Sequence, residues 1–205
     1  MSTVFKAARV LNSFLSTPIT YSQGWFGNYM RYLYYKKKLR NLGVGCIIDQ
    51  GVIIKKPEMI SIGNNVWIDK NVVLLGGEGI EIGRRVHIAQ NCLIQGEGTI
   101  KIGNYVGIAA NSMIFSSTDT IYGGKRVGPM IPPKYRNPVS KKPVNIEKDA
   151  FIGAGCIILP GVKIGEGTMV GAGSLVTKDI PPWKVAVGCP AKPIKDRPKV
   201  ILPDF

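Results

Sequence analysis

The sequence predicts an all-β solenoid: a backbone coiled into a parallel β-helix, with a short α-helical region before it and one loop extruded from it. Three observations carry that expectation. Written in hexads, the chain gives six aliphatic triplets: Leu42, Ile48, Ile54; Ile62, Ile68, Leu74; Ile82, Ile88, Ile94; Ile102, Ile108, Ile114; Ile146, Ile152, Ile158; and Ile164, Val170, Val176. The middle sets recur every 20 residues and the last two every 18, a fixed period that marks stacked repeats. Three residues after each middle aliphatic stand Gly51, Asn71, Asn91, Asn111, Gly155 and Gly173. Gly and Asn most readily accept positive φ, so every coil carries a tight turn at the same place. The aliphatics then point inward and stack about 4.8 Å apart, as in any parallel sheet.

The third observation is an interruption. After Ile114 the next coil is due near Tyr122 but begins at Ile146, which extrudes a loop over 115–145 rich in Pro, Gly and basic residues. A long structureless insertion in a compact solenoid is usually functional. Before the repeats, residues 3–15 and 25–40 read as helices. The second is dense in aromatics (Trp25, Phe26, Tyr29, Tyr32, Tyr34, Tyr35) and closes on Lys36, Lys37, Lys38 and Arg40. It fits either a helix lying on an anionic membrane surface or a segment packed beneath the first coil. The expected organisation is therefore an N-terminal helical segment (1–41), a solenoid (42–180) and a short proline-containing tail (181–205).

With 205 residues, 45% hydrophobic and 20% charged, the chain suits one globular domain rather than a disordered one. No apolar run approaches the roughly 18–20 residues of a membrane span, and the opening residues show no clear signal-peptide cleavage site. Cys46, Cys92, Cys156 and Cys189 have no metal-binding spacing and sit among apolar neighbours, which predicts reduced, buried thiols and a cytoplasmic setting. The net charge of +14 asks for a partner. Seven basic residues lie in the first 40 positions with no acid before Asp49, and six more (Lys125, Arg126, Lys134, Arg136, Lys141, Lys142) lie between Asp119 and Glu147. No nucleic-acid-binding motif or basic recognition helix accompanies them. Phosphates of a cofactor, a nucleotide-sugar or a membrane surface fit that charge.

The hexads and the stretch IGAGCIILPGVKIGEGTMVGAGSLVTKDIPPWKVAVGCPAKPIK closely resemble the hexapeptide-repeat acyltransferases, in particular the branch of galactoside and maltose acetyltransferases and polysaccharide-biosynthesis acyltransferases. The resemblance covers about residues 42–197. It implies a left-handed β-helix, a homotrimer, and coenzyme A in the cleft between neighbouring subunits, with no metal. Carried over by position, it sets Ala154 and Ala172 as backbone contacts to the pantetheine arm. It sets Lys178, Lys192 and Lys195 where basic groups meet the coenzyme's phosphates, a common task for lysine.

One departure matters. Most relatives carry a catalytic histidine in the loop after the coil matching Ile102–Ile114, and here Asp119 stands at about that position. The single histidine of the chain is His87, in RRVHIAQN. It sits one residue before a middle aliphatic, so its side chain is expected to point outward. Trp67, Gly107 and Phe151 share its column, and relatives carry an aromatic beside the acceptor at the Phe151 position. Trp67 and Phe151 are therefore expected to wall an acceptor pocket, with Gly107 leaving space over the imidazole. Ser116, Ser117 and Tyr122 of the loop are candidate acceptor contacts, Asp119 a candidate catalytic partner, and His87 the expected general base, since an ordinary imidazole, pKa about 6.5, accepts a proton near neutrality.

The expected function is acyl transfer from acetyl-coenzyme A or another acyl-coenzyme A to a sugar hydroxyl or amine in building a cell-surface polysaccharide. The acceptor would be a nucleotide-linked amino sugar or a lipid-linked glycan, and the protein would act in the cytoplasm or at the inner face of the membrane. A β-helix scaffold without catalysis is the alternative. A β-helix carbonic anhydrase needs three zinc-binding histidines and is excluded.

Overall fold

Stacking identical coils leaves one problem at each end, because a rung without a neighbour exposes unpaired backbone. The computed structural model, which describes residues 18–201 and 203, shows how both ends are closed. The helix expected over 3–15 lies outside the described residues.

The body is a left-handed parallel β-helix of about seven turns. Each coil gives one short strand to each of three sheets. The first face is built from Asn41–Leu42, Ile60–Ile62, Gly79–Ile82, Thr99–Ile102, Val144–Ile146 and Lys163–Ile164. The second holds Ile47–Ile48, Trp67–Ile68, His87–Ile88, Gly107–Ile108, Phe151–Ile152 and Met169–Val170, and the third begins at Ile53–Lys55 and ends at Leu175–Val176. Register is that of the hexads: Ile48 pairs with Ile68, Ile68 with Ile88, Ile88 with Ile108 and Ile108 with Ile152. Seventeen of the eighteen hexad aliphatics are buried, and Ile54 is packed against them half-buried.

All six residues of the turn column have positive φ, between 60° and 74°. A second such column precedes the middle aliphatics: Gly45, Asn65, Arg85, Tyr105, Asp149 and Gly167. Arg and Tyr rarely adopt that conformation, so Arg85 and Tyr105 interrupt a column otherwise made of Gly, Asn and Asp. The coil imposes it.

Some amides of each coil donate to carbonyls of the coil above, as in Ile47 N–H to Val66 O and Trp67 N–H to Val86 O, both 2.9 Å, while corner amides such as Asn65 N–H donate to the coil below. The first-coil carbonyls that face downward therefore have no strand beneath them. Helix α1 (Gly24–Lys36) supplies the donors: Arg31 Nε to Ile48 O at 2.7 Å, Tyr32 OH to Gly43 O and Tyr35 OH to Val52 O at 3.3 Å, and Lys36 Nζ to Leu42 O. Arg31 is fully buried, and its Nη1 also donates to Ile19 O (2.9 Å) and Ser22 O (2.6 Å). Burial pushes the Tyr35 phenol up to about 12. The segment expected as a helix to residue 40 stops at Lys36 because the chain turns to start the first strand at Asn41.

The upper end differs from the expected tail. Lys184–Gly188 pairs parallel with Met169–Val170, then folds back antiparallel on Ala191–Asp196, adding a rung to the second face. Cys46, Cys92 and Cys156 are buried and burial raises their thiol pKa, which keeps them inert. Cys189, also expected inside, is exposed, because it stands in the connection between those last two strands.

Candidate active site

In a two-residue strand whose second side chain points inward, the first points outward. The second face thus carries an outward column of Ile47, Trp67, His87, Gly107, Phe151 and Met169, paired rung to rung. Trp67 is 49% exposed and Phe151 42%. The Trp67 and His87 rings lie 5.3 Å apart between centroids, tilted by 43°. His87 and Phe151 are two rungs apart, about 10 Å by strand spacing. Gly107 does not leave open space over the imidazole as expected. A Cβ placed there would meet Phe151 Cδ2 at 2.8 Å, so the phenyl ring already leans over the glycine toward His87.

The partner of the imidazole is one that sequence reasoning missed. Asp69 Oδ2 lies 3.1 Å from His87 Nε2, with the His87 side chain 50% exposed and the Asp69 side chain 18%. The signal was available: Asp69 directly follows the middle aliphatic one coil below, which sets it diagonally beneath His87. A carboxylate only accepts, so Nε2 is the donor of this pair, and in the neutral ring the lone pair is then on Nδ1.

The loop residues are placed elsewhere. The chain leaves the solenoid after Met113–Phe115 on the third face, so the base of the loop and His87 belong to different faces. Its base is clamped by Ser117–Thr118 pairing antiparallel with Ser140–Lys141, and by Lys141 reaching Glu78 at 2.9 Å. Ser116 and Ser117, expected as acceptor contacts, are buried in this base. Ser116 Oγ accepts the Gly98 N–H at 2.9 Å and donates to Gln95 O at 3.1 Å, which spends the hydroxyl on anchoring the loop. Tyr122 is 79% exposed and Asp119 half-buried, and His87 bonds Asp69 rather than Asp119. Farther out, Lys125, Arg126, Lys134 and Tyr135 line a basic hollow with Gly124.

Ala154 and Ala172 occupy the corner between second and third faces, where both are exposed. Their carbonyl and amide neighbours are joined by Gly173 N–H to Ala154 O at 2.8 Å, while among the described residues neither alanine's own N–H has an acceptor. Two free amides stacked on a corner stripped of side chains can bond an extended amide-bearing chain. Lys178 follows the last third-face strand, and Lys192 and Lys195 lie on the closing hairpin; all three are exposed and none has an acidic partner among the described residues.

Comparison with known proteins explains this layout. The family description "Bacterial transferase hexapeptide (six repeats)" matches residues 143–178, and "Hexapeptide repeat of succinyl-transferase" matches residues 59–96. The crystal structure of an AntD variant, an N-acyltransferase from Bacillus cereus in complex with dTDP-4-amino-4,6-dideoxyglucose and coenzyme A, superposes with a TM-score of 0.76 at 35% identity. The superposition covers 82% of this chain and 89% of that one. The chain belongs to the hexapeptide-repeat acyltransferase family. Two curated relatives of this acyltransferase family align over shorter stretches. Protein C18B11.09c of Schizosaccharomyces pombe is 62% identical over 53 residues, 26% of each chain. A Staphylococcus aureus 2,3,4,5-tetrahydropyridine-2,6-dicarboxylate N-acetyltransferase is 49% identical over 63 residues, 31% of this chain and 26% of that one. The chain thus spans about a quarter of the curated relatives it matches.

Proposed function

We propose that this chain is an acyl-coenzyme A-dependent transferase whose acceptor is the amino group of a nucleotide-linked sugar in cell-surface polysaccharide synthesis. The observation that carries the reading is the second-face column, in which an oriented imidazole stands between two exposed aromatics on a chain similar to AntD along most of its length. A sugar ring can stack along the exposed edge of this column, against the Trp67, His87 and Phe151 rings. The pantetheine arm bonds the Ala154 and Ala172 amides, and Lys178, Lys192 and Lys195 meet the coenzyme's phosphates. The basic hollow of the loop, at Lys125, Arg126 and Lys134, suits the acceptor's diphosphate.

The chemistry follows from these roles. The acceptor nitrogen attacks the thioester carbonyl, and His87 Nδ1 takes the proton it loses while Asp69 steadies the imidazolium. The tetrahedral intermediate expels the coenzyme thiolate, and His87 returns the proton to the sulfur. The new bond is carbon–nitrogen and the broken bond carbon–sulfur.

In this reading Asp119 and Tyr122 complete the site from a neighbouring copy, since their loop leaves from the third face and His87 stands on the second. That face exposes Ile53, Met113 and Ile157, apolar groups suited to burial. The reading therefore includes a homotrimer, in which light scattering gives three times the 22.3 kDa chain. The reading sets the enzyme in the cytoplasm.

The test is thiol release from acetyl-coenzyme A, with nucleotide-linked amino sugars, nucleotide sugars bearing only hydroxyls, and free amino sugars as acceptors. Release with the nucleotide-linked amines is expected. Coenzyme binding with no thioester cleavage on any acceptor would replace the reading with a scaffold.

A further inference from the structure

Helix α1 has two faces with different fates. Gly27, Arg31 and Tyr35, spaced by four, are buried beneath the first coil. On the opposite side Trp25, Tyr29 and Leu33, spaced the same way, are exposed by 81%, 54% and 39%, and Phe26 beside them by 59%. A surface helix normally turns its apolar stripe inward. This one turns its capping side chains inward and its largest apolar groups outward. The solenoid needs the inner face, and nothing in the described chain covers the outer one.

The charge around the stripe identifies what covers it. The same end of the molecule carries Lys36, Lys37, Lys38, Arg40, Lys55 and Lys56 against Asp49 and Glu58. Lys37, Arg40, Lys55 and Lys56 are exposed. A second copy docked end to end would bring two cationic ends together, which repels. An anionic surface is complementary to it. Exposed Trp, Phe and Tyr next to Lys and Arg are the side chains that settle at a lipid interface, rings at headgroup depth and cations at the phosphates. Among the described residues no helix is long and apolar enough to cross a membrane.

We infer that the outward stripe of α1 seats this protein on an anionic lipid surface, with the solenoid axis rising from it and the second-face column held near the bilayer. The seat is independent of the acceptor's identity, since it is built from the end of the stack and not from the column.

The experiment is co-sedimentation of the full chain with vesicles of phosphatidylcholine alone and of phosphatidylcholine containing one-third phosphatidylglycerol. Binding to the anionic vesicles is expected, and a Trp25→Gln/Phe26→Gln/Tyr29→Gln variant should lose at least tenfold in partition. Each cation removed should cost about fivefold. The wild type alone gives a second reading: raising NaCl from about 0.1 M to about 1 M shortens the Debye length from about 10 Å to about 3 Å and should release it. Thiol release with soluble acceptor should be unchanged in the variant. No binding to anionic vesicles, equal binding by the variant, or salt-insensitive binding each overturns the inference. So does a fall in oligomer mass in the variant, which would make the stripe an interface between copies.

Discussion

The first and second faces are built by the same coils, each bury an aliphatic column of their own, and share nothing on their outer surfaces. Outward from the first face stand Asn41, Ser61, Glu81, Lys101, Asn145 and Lys163. A hollow of about 960 Å³ lies along this face. Its charges are matched to each other: Lys101 to Glu81 at 3.4 Å, Lys163 to Glu147 at 2.8 Å, Lys148 to Glu166 at 3.7 Å. Such a surface is satisfied by water and by itself. The second face leaves a tryptophan, a histidine and a phenylalanine half-exposed around a glycine. The inner columns set the fold, and the outer columns decide what each face is for.

Inward and outward neighbours in one strand should therefore fail differently. Ile88→Ala opens a cavity in a fully buried column and is expected to cost about 2–5 kcal/mol by denaturant unfolding. His87→Ala, one residue away, should leave the midpoint nearly unchanged. Similar losses for the two would blur the distinction between columns.

Gly107 sharpens it. A methyl there meets the Phe151 ring at 2.8 Å, so Gly107→Ala must swing the ring off the column. We expect roughly a tenfold rise in acceptor KM, about 1.4 kcal/mol, with coenzyme affinity unchanged. A rise in coenzyme KM alone would move the acceptor site elsewhere.

The smallest effects belong to the first face. Lys101→Ala should change stability by less than about 1 kcal/mol, as for exposed pairs generally, and leave activity intact. Glu147 titrates low because the Lys163 ammonium hydrogen-bonds it, and the Glu166 amide adds to this. A depressed carboxyl contributes stability above its unfolded pKa of about 4.3 and loses it as pH falls through the lower folded value. Glu147→Gln should flatten the acid limb of stability slightly and leave the neutral range untouched.

The periodic parts of this fold were legible because a coil repeats its demands: aliphatics inward every six residues, Gly or Asn at one corner. The other corner was partly hidden, since Arg85 and Tyr105 take positive φ under coil geometry rather than by propensity. The N-terminal helix could be read in outline, but its division into a capping face and an exposed face depends on which first-coil carbonyls lack donors. In the site, Trp67, His87 and Phe151 fell into one column by counting. Asp69 escaped because its contact is diagonal between rungs, and Ser116 misled because a hydroxyl in a loop looks available until its two bonds are traced.

The most direct test is His87→Ala on the acceptor that supports thiol release. The column as acceptor site, with His87 as general base, predicts a fall in kcat of at least about 100-fold, with coenzyme A affinity by calorimetry near wild type. Asp69→Asn should cost less, since the imidazole keeps its place in the column and loses only the partner that orients it. Asp119→Asn should cost less than His87→Ala as well. A His87→Ala enzyme that keeps more than about a third of wild-type kcat would contradict the assignment and leave the column as a binding wall alone.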